Sequence, residues 1–214
     1  MKRYFQLIFL ILFVFVGCNR FNLLEGLSPK SNITSRVKKN IDEYKYKKIA
    51  IFPFILEDSI PEEGREVENL FYEKFLSTTK YEVYPSYIVE EVIEKMDMSL
   101  EDVYDVSKAI EIGKSMEVDA ILRGRVTRYK ELEGYRWGAK SPASVSFDVY
   151  LIDINDGTIL WSGSFDKTEQ ALTQDASNIK AFIKGGGVWH KRYEIAKMGV
   201  DEILKTFPGL KKER

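Results

Sequence analysis

The chain has 214 residues, 44% of them hydrophobic and 13% aromatic, with 32 Lys and Arg against 33 Asp and Glu. That balance lacks the clustered basic excess of a nucleic-acid-binding protein, and the apolar content is that of a folded chain rather than a disordered one. The single cysteine, Cys18, and the single histidine, His190, argue against disulfides, thiolate metal sites and multi-histidine metal sites.

The chain opens with Met1-Lys2-Arg3 and an apolar run from Tyr4 to Val16, the charged and apolar regions of a secretory signal. The run is 13 residues long, whereas a spanning helix needs roughly 20. It ends in Phe15-Val16-Gly17-Cys18, which resembles the lipobox of bacterial lipoproteins, with Phe15 where Leu is usual. A small residue at Gly17 admits the peptidase, and the Cys18 thiol accepts a diacylglyceryl group. Residues 1–17 are therefore expected to be a signal peptide cleaved between Gly17 and Cys18; the alternative is an ordinary signal or a truncated anchor with an incidental cysteine. Loss of Lys2 and Arg3 leaves 30 basic against 33 acidic residues, a formal charge of −3. Two or more acyl chains hold a protein firmly to a bilayer. Asn19, standing where Asp is associated with inner-membrane retention, leans towards the outer membrane, facing the periplasm.

Residues 18–45 read as the lipidated N-terminus and a tether, polar and poorly periodic, with a basic Arg36-Val-Lys-Lys39 patch. That patch suits either a solvated linker or contact with anionic headgroups. Ordered structure is expected over residues 46–208 as one domain, followed by a charged tail at 209–214. Lys47 to Phe54 reads as a buried strand with Pro53 at its end or edge. Pro61 to Ser77 carries Val67, Leu70, Phe71 and Phe75 at helical spacing. Tyr81 to Pro85 is a short strand, and Ser86 is placed to cap the helix carrying Ile88, Val89, Val92 and Met96. Ser99-Leu-Glu-Asp102 has the form of a capping box opening a helical region that ends near Met116.

Ala120 to Tyr129, Ser144 to Ile154 and Thr158 to Phe165 read as strands, the last two joined by the hairpin signal Asn155-Asp156-Gly157. Val145, Phe147, Val149 and Leu151 share one face, and Ser146, Asp148 and Tyr150 the other. Trp189 to Phe207 is an amphipathic helix with Trp189, Tyr193, Ala196, Val200, Ile203 and Leu204 on one side, and Pro208 ends it. The order β-α-β-α-α-β-β-β-α implies an α/β (α+β) fold, a mixed sheet with helices packed on it.

The polar residues offer little chemistry. Asp153 and Asp156 flank a turn, where Asx side chains bond local backbone. Gly185-Gly-Gly187 lacks the Lys and Ser/Thr of a nucleotide loop and suits a hinge. His190 has no identifiable Ser or Asp partner, and Glu90, Glu91 and Glu94 read as a solvated helix face rather than a glycosidase pair. No catalytic residue, metal site or cofactor is expected. Tyr135 and Trp137, on the long loop from Lys130 to Pro142, are partner-binding candidates together with Trp189; the two loop aromatics either anchor a partner or fold back on the sheet.

Three segments carry a resemblance. Lys48-Ile-Ala-Ile-Phe-Pro-Phe54 resembles the first strand of the group containing the curli secretion lipoprotein CsgG, the penicillin-binding-protein activator LpoB and the N-terminal domain of TolB. Ile112 to Arg125 is similar to that group's helix-to-strand passage, and Ser146 to Trp161 to its final hairpin. The resemblance covers Lys47 to Ser164 and implies envelope assembly and partner binding without catalysis. Lys130, Glu131, Glu133, Arg136 and Lys140 spoil the lipid-facing alternation a pore hairpin needs. The sequence reading is thus a membrane-anchored, non-catalytic binding or assembly factor of the envelope, with a protein partner. A subunit of an oligomeric CsgG-like outer-membrane secretion complex, and hence a homo-oligomer, is the alternative.

Overall fold

The computed structural model describes residues 31–41, 46–56, 62–136, 138–169 and 189–209. In chain order the elements are β1 (Asn32–Val37), β2 (Lys48–Ile51), β3 (Ile55–Leu56), α1 (Glu62–Thr78), β4 (Glu82–Tyr84), α2 (Ser86–Lys95), a 3-10 turn (Leu100–Tyr104), α3 (Val106–Ser115), β5 (Ala120–Lys130), β6 (Glu133–Tyr135), β7 (Gly138–Ser141), β8 (Ser144–Asp153), β9 (Ile159–Thr168) and α4 (Arg192–Leu204). The main sheet runs β1-β9-β8-β5-β2-β4, with β3 also paired to β5, while β6 and β7 form a separate hairpin. Strands β2 and β3 lie parallel to β5, and β8 antiparallel to it. This is the mixed α/β fold that the sequence pattern implies.

The alternation in β8 sorts the two faces. Val145, Phe147, Val149 and Leu151 join Phe71, Phe75, Trp161 and the inner side of α4 in one core, so α1 and α4 cover that face. Ile121 and Ile152 join Val89, Ile93, Ala109 and Ile112 in a second core under α2 and α3. Asp119 fixes the register between the parallel strands: its carboxylate accepts the Lys47 and Lys48 amides at 2.7 and 2.9 Å, and its own amide donates to Lys48 O at 3.0 Å. The capping box at Ser99 is present, and Asp105 caps α3 by accepting the Ser107 and Lys108 amides. Asp153 and Asp156 accept local amides around the turn, where Gly157 takes φ +70°.

Four expectations are corrected. Asn32–Val37, inside the stretch read as a tether, is a strand paired to β9 along its whole length. Its inward residues, Ile33 and Ser35, are too few to register as an apolar pattern, and the strand exists only because β9 offers an edge. Ser86 does not cap α2; Pro85 holds that position, and the Ser86 hydroxyl donates to the Glu68 carboxylate instead. The loop after Lys130 contains the β6–β7 hairpin. The closing helix begins at Arg192 rather than Trp189, and Tyr193 is 46% exposed rather than on the buried side. Gly185 to Gly187 lie outside the described residues.

Pro53 has a structural consequence of its own. It stands in the gap where β2 ends and β3 has not begun, so the following amide, Phe54 N, has no strand partner in register. Glu68 supplies one: its Oε2 accepts Phe54 N at 3.1 Å while Oε1 accepts the Ser86 hydroxyl. One carboxyl, 3% exposed, thereby ties α1 to the strand break and to the start of α2. Burial pushes its pKa up to about 7, against the lowering effect of the Ser86 and Phe54 hydrogen bonds and of Arg65. The Phe54 ring in turn lies on Gly124 of β5, where an added Cβ would come within 2.2 Å of ring carbons.

A carboxyl whose folded pKa is raised contributes stability that is complete below its unfolded pKa and is lost as pH rises through the folded one. Folding free energy should therefore fall between about pH 4.5 and 7, by on the order of 3 kcal/mol from this group. Urea titrations at the two ends of that window should show the loss in wild type and a flatter profile in Glu68→Gln. Gly124→Ala should destabilise by roughly 2–3 kcal/mol through the clash with Phe54, measured the same way.

Candidate functional site

Two of the partner-binding candidates, Tyr135 and Trp189, lie at one end of the sheet, where β5 runs out into the β6–β7 hairpin and meets the first turn of α4. Arg136, at the tip of the hairpin, joins the two. Its backbone carbonyl accepts the Trp189 amide at 2.6 Å. Its Nε donates to Trp189 O at 3.1 Å, and its Nη2 donates to both carboxylate oxygens of Glu194 at 3.1 Å. Glu194 also accepts the Lys191 amide at 2.8 Å, closing the helix start. Partial burial raises the Glu194 pKa, but the Lys191 amide and the Arg136 charge outweigh it and hold the carboxyl below its ordinary value. The hairpin is thus fastened to α4 by backbone and side chain together.

Beside this clamp, Arg192 lies with its guanidinium carbon 4.8 Å from the centre of the Tyr129 ring, within 3.5 to 3.7 Å of carboxylates from Glu63, Glu66 and Glu131. The Tyr129 hydroxyl donates to Glu66 at 2.7 Å. Burial, then the Glu66 acceptor, push its pKa well above the ordinary phenol value, so it stays a neutral donor. Glu169, 5% exposed, accepts the His190 amide at 2.8 Å and faces His190 Nδ1 at 2.5 Å. The cluster is a network of mutually satisfied charges that joins the ends of β5, β9, α1 and α4. Arg136, Arg192 and Glu194 are each engaged by several partners, an arrangement that fixes geometry.

Tyr135 stands out from this rigid base, 68% exposed on β6. Trp189 does not: it is 5% exposed, because the residue clamped to Arg136 is drawn into the fold rather than presented on it. Trp137, Gly17 and Cys18 lie outside the described residues. The Arg136 clamp and the His190–Glu169 pair were not legible from spacing. Glu169 and His190 are 21 positions apart, and Arg136 and Glu194 are 58 apart. Among the described residues, no group of three or more His, Cys, Asp or Glu side chains is arranged to hold a metal ion, and no helix is long and apolar enough to cross a membrane.

The fold has relatives among solved structures. The PelC dodecamer from Paraburkholderia phytofirmans aligns with a TM-score of 0.51 at 14% identity, over 82% of this chain and 96% of that one. Lipoprotein GNA1162 from Neisseria meningitidis aligns at 0.46 with 20% identity, over 65% and 94% of the two chains. The C-terminal domain of LpoB from Salmonella enterica aligns at 0.41 with 15% identity, over 56% and 82%. No protein-family model matches the chain, and no curated protein matches it. At these identities the PelC likeness is one of fold.

Removing the clamp should free the hairpin without unfolding the protein, since half-exposed ion pairs contribute little to global stability. Arg136→Ala should speed hydrogen exchange at the Trp189 amide by about tenfold while shifting the urea midpoint by less than the equivalent of about 1 kcal/mol.

Proposed function

We propose that this chain is a lipid-anchored, non-catalytic binding or assembly factor of the bacterial cell envelope, held at the outer membrane and facing the periplasm. The observation that carries the binding role is the presentation of Tyr135. An aromatic side chain exposed on a hairpin that is fastened by Arg136 has little conformational entropy to lose when a partner covers it, and Tyr is a favoured anchor at interfaces. The surrounding ion pairs hold this platform in place. The lipobox-like Phe15-Val16-Gly17-Cys18 and the basic, apolar stretch before it support the anchor and the address. The occupant of the Tyr135 platform, on this reading, is another envelope protein.

A second reading, a subunit of a homo-oligomeric ring, is favoured by one comparison: the fold is shared with a protein whose crystal form is a dodecamer. Mass measurement of detergent-extracted protein separates the two, because a strict monomer at micromolar concentration removes the ring.

Metabolic labelling with a clickable fatty acid should mark the wild-type chain in the outer-membrane fraction and leave Cys18→Ala unmarked; an unlabelled wild type overturns the anchor. A photo-crosslinking amino acid at Tyr135 should capture a discrete envelope protein in intact cells, and the same probe at Lys95, exposed at the end of α2, should not. Capture at both positions, or at neither, counts against the platform.

A further inference from the structure

Behind α1 and α4, the described elements cover only half of the opposite face of the sheet. The two helices α2 and α3 pack over β2 and over the first residues of β5 and the last of β8. Beyond them, no described element lies on the second face of β5, β8, β9 and β1. The registers place Arg123, Tyr150, Ser162 and Arg36 in one rank across those four strands, and Arg125, Asp148, Ser164 and Thr34 in the next. Arg128 and Asp166 stand in the third, paired at 2.7 Å.

The face has a definite chemistry. It carries four arginines against Asp148 and Asp166, while the chain as a whole has a formal charge of −1. Asp148 accepts the Ser164 hydroxyl at 2.5 Å. Arg123 is fixed at the margin by the Val103 and Tyr104 carbonyls, which supply no countercharge, at 2.5 and 2.8 Å. Arg125 and Arg36 are exposed and make no ion pair among the described residues. Arg128 meets Asp166 through Nη2 only, and its buried Nε–H has no acceptor among the described residues. Strand spacing sets Arg125 and Arg36 roughly 15 Å apart.

We propose that this open face binds a linear glycan bearing carboxylate groups. Spaced guanidinium forks match carboxylates repeated along an extended polymer, and the short hydroxyl side chains between them keep the surface flat and able to bond sugar hydroxyls. An acidic protein fits less well, because a protein interface needs a buried apolar or aromatic centre, and Tyr150, 36% exposed, is the only large hydrophobic side chain in those ranks. The inference depends neither on the lipid anchor nor on Tyr135, which belongs to the other side of the sheet.

The test is calorimetric titration of the full chain, purified in a non-ionic detergent, with oligogalacturonate, with neutral dextran of matched length and with poly-glutamate. Oligogalacturonate should bind, more weakly as salt rises, and dextran should not. Arg125→Gln should weaken binding about tenfold and the Arg36→Gln, Arg125→Gln double variant about a hundredfold, with melting curves unchanged because both side chains are exposed. Lys95→Gln should leave affinity unaltered. Failure of the wild type to bind oligogalacturonate, or binding indifferent to both arginine variants, overturns the proposal. Poly-glutamate binding as tightly and in competition assigns the face to an acidic protein and overturns the glycan.

Discussion

Strand β5 is the constraint around which the molecule is arranged. Its first residues, Ala120, Ile121 and Leu122, have no solvent exposure and pair in parallel with β2 on one side and antiparallel with β8 on the other. A strand buried on both faces must be covered by helices on both, which fixes α1 and α4 to one side and α2 and α3 to the other. Yet β5 is eleven residues long, well past the reach of α2 and α3. Among the described elements its far half is covered on one face only, and from that point its sequence turns to Arg123, Arg125, Thr127 and Arg128 on the other. Fold and surface chemistry follow from the same excess of strand over helix.

Two breaks in regular pairing are each closed by a single residue. Pro53 interrupts the second strand and leaves the Phe54 amide without a ladder partner; Glu68 accepts it from α1. The chain leaves β5 for a hairpin that would otherwise stand alone, and a two-stranded hairpin is marginal in water; Arg136 secures it to α4. The two closures differ in cost. Glu68 is buried, so its ionisation opposes folding near neutral pH, whereas the Arg136 and Glu194 side chains are partly solvated and the Glu194 carboxyl is held below its ordinary value. Raising the pH weakens the buried latch, whereas the Glu194 latch, with its carboxyl held below the ordinary value, is weakened by acid.

The aromatic residues illustrate how much tertiary context decides. Trp161 and Phe207 are core: the indole sits edge-on to Phe207 at 5.0 Å and donates to Thr206 at 3.2 Å, securing the end of α4 to β9. Trp189 is core by another route, through a backbone bond to a hairpin tip more than fifty residues away in sequence. Tyr135, next to Arg136 on the hairpin, is presented to solvent. Nothing in residue type or local spacing separates these fates, because all of them depend on which long-range partner captures the neighbouring backbone.

The sequence by itself determined the elements whose cause is local. The capping box at Ser99, the Asn155-Asp156-Gly157 turn, the two-residue alternation in β8, the apolar spacing of α1 and the mixed α/β class all arise from neighbours within a few positions, where periodicity and turn chemistry act. The lipobox-like end of the first apolar run is equally local and stands on sequence alone. Only the tertiary structure decided what depends on distant partners. Asn32–Val37 became a strand because β9 left an edge to pair with, and Ser86 gave up a capping role because Glu68 lay within reach. Glu169 met His190, and Arg136 met Glu194, for the same reason. The arginines of β5, β9's serines and Arg36 form one face because the pairing of four strands aligns them. Hydrogen-bond register between segments far apart in the chain is set by the packed sheet as a whole, and no window of sequence contains it.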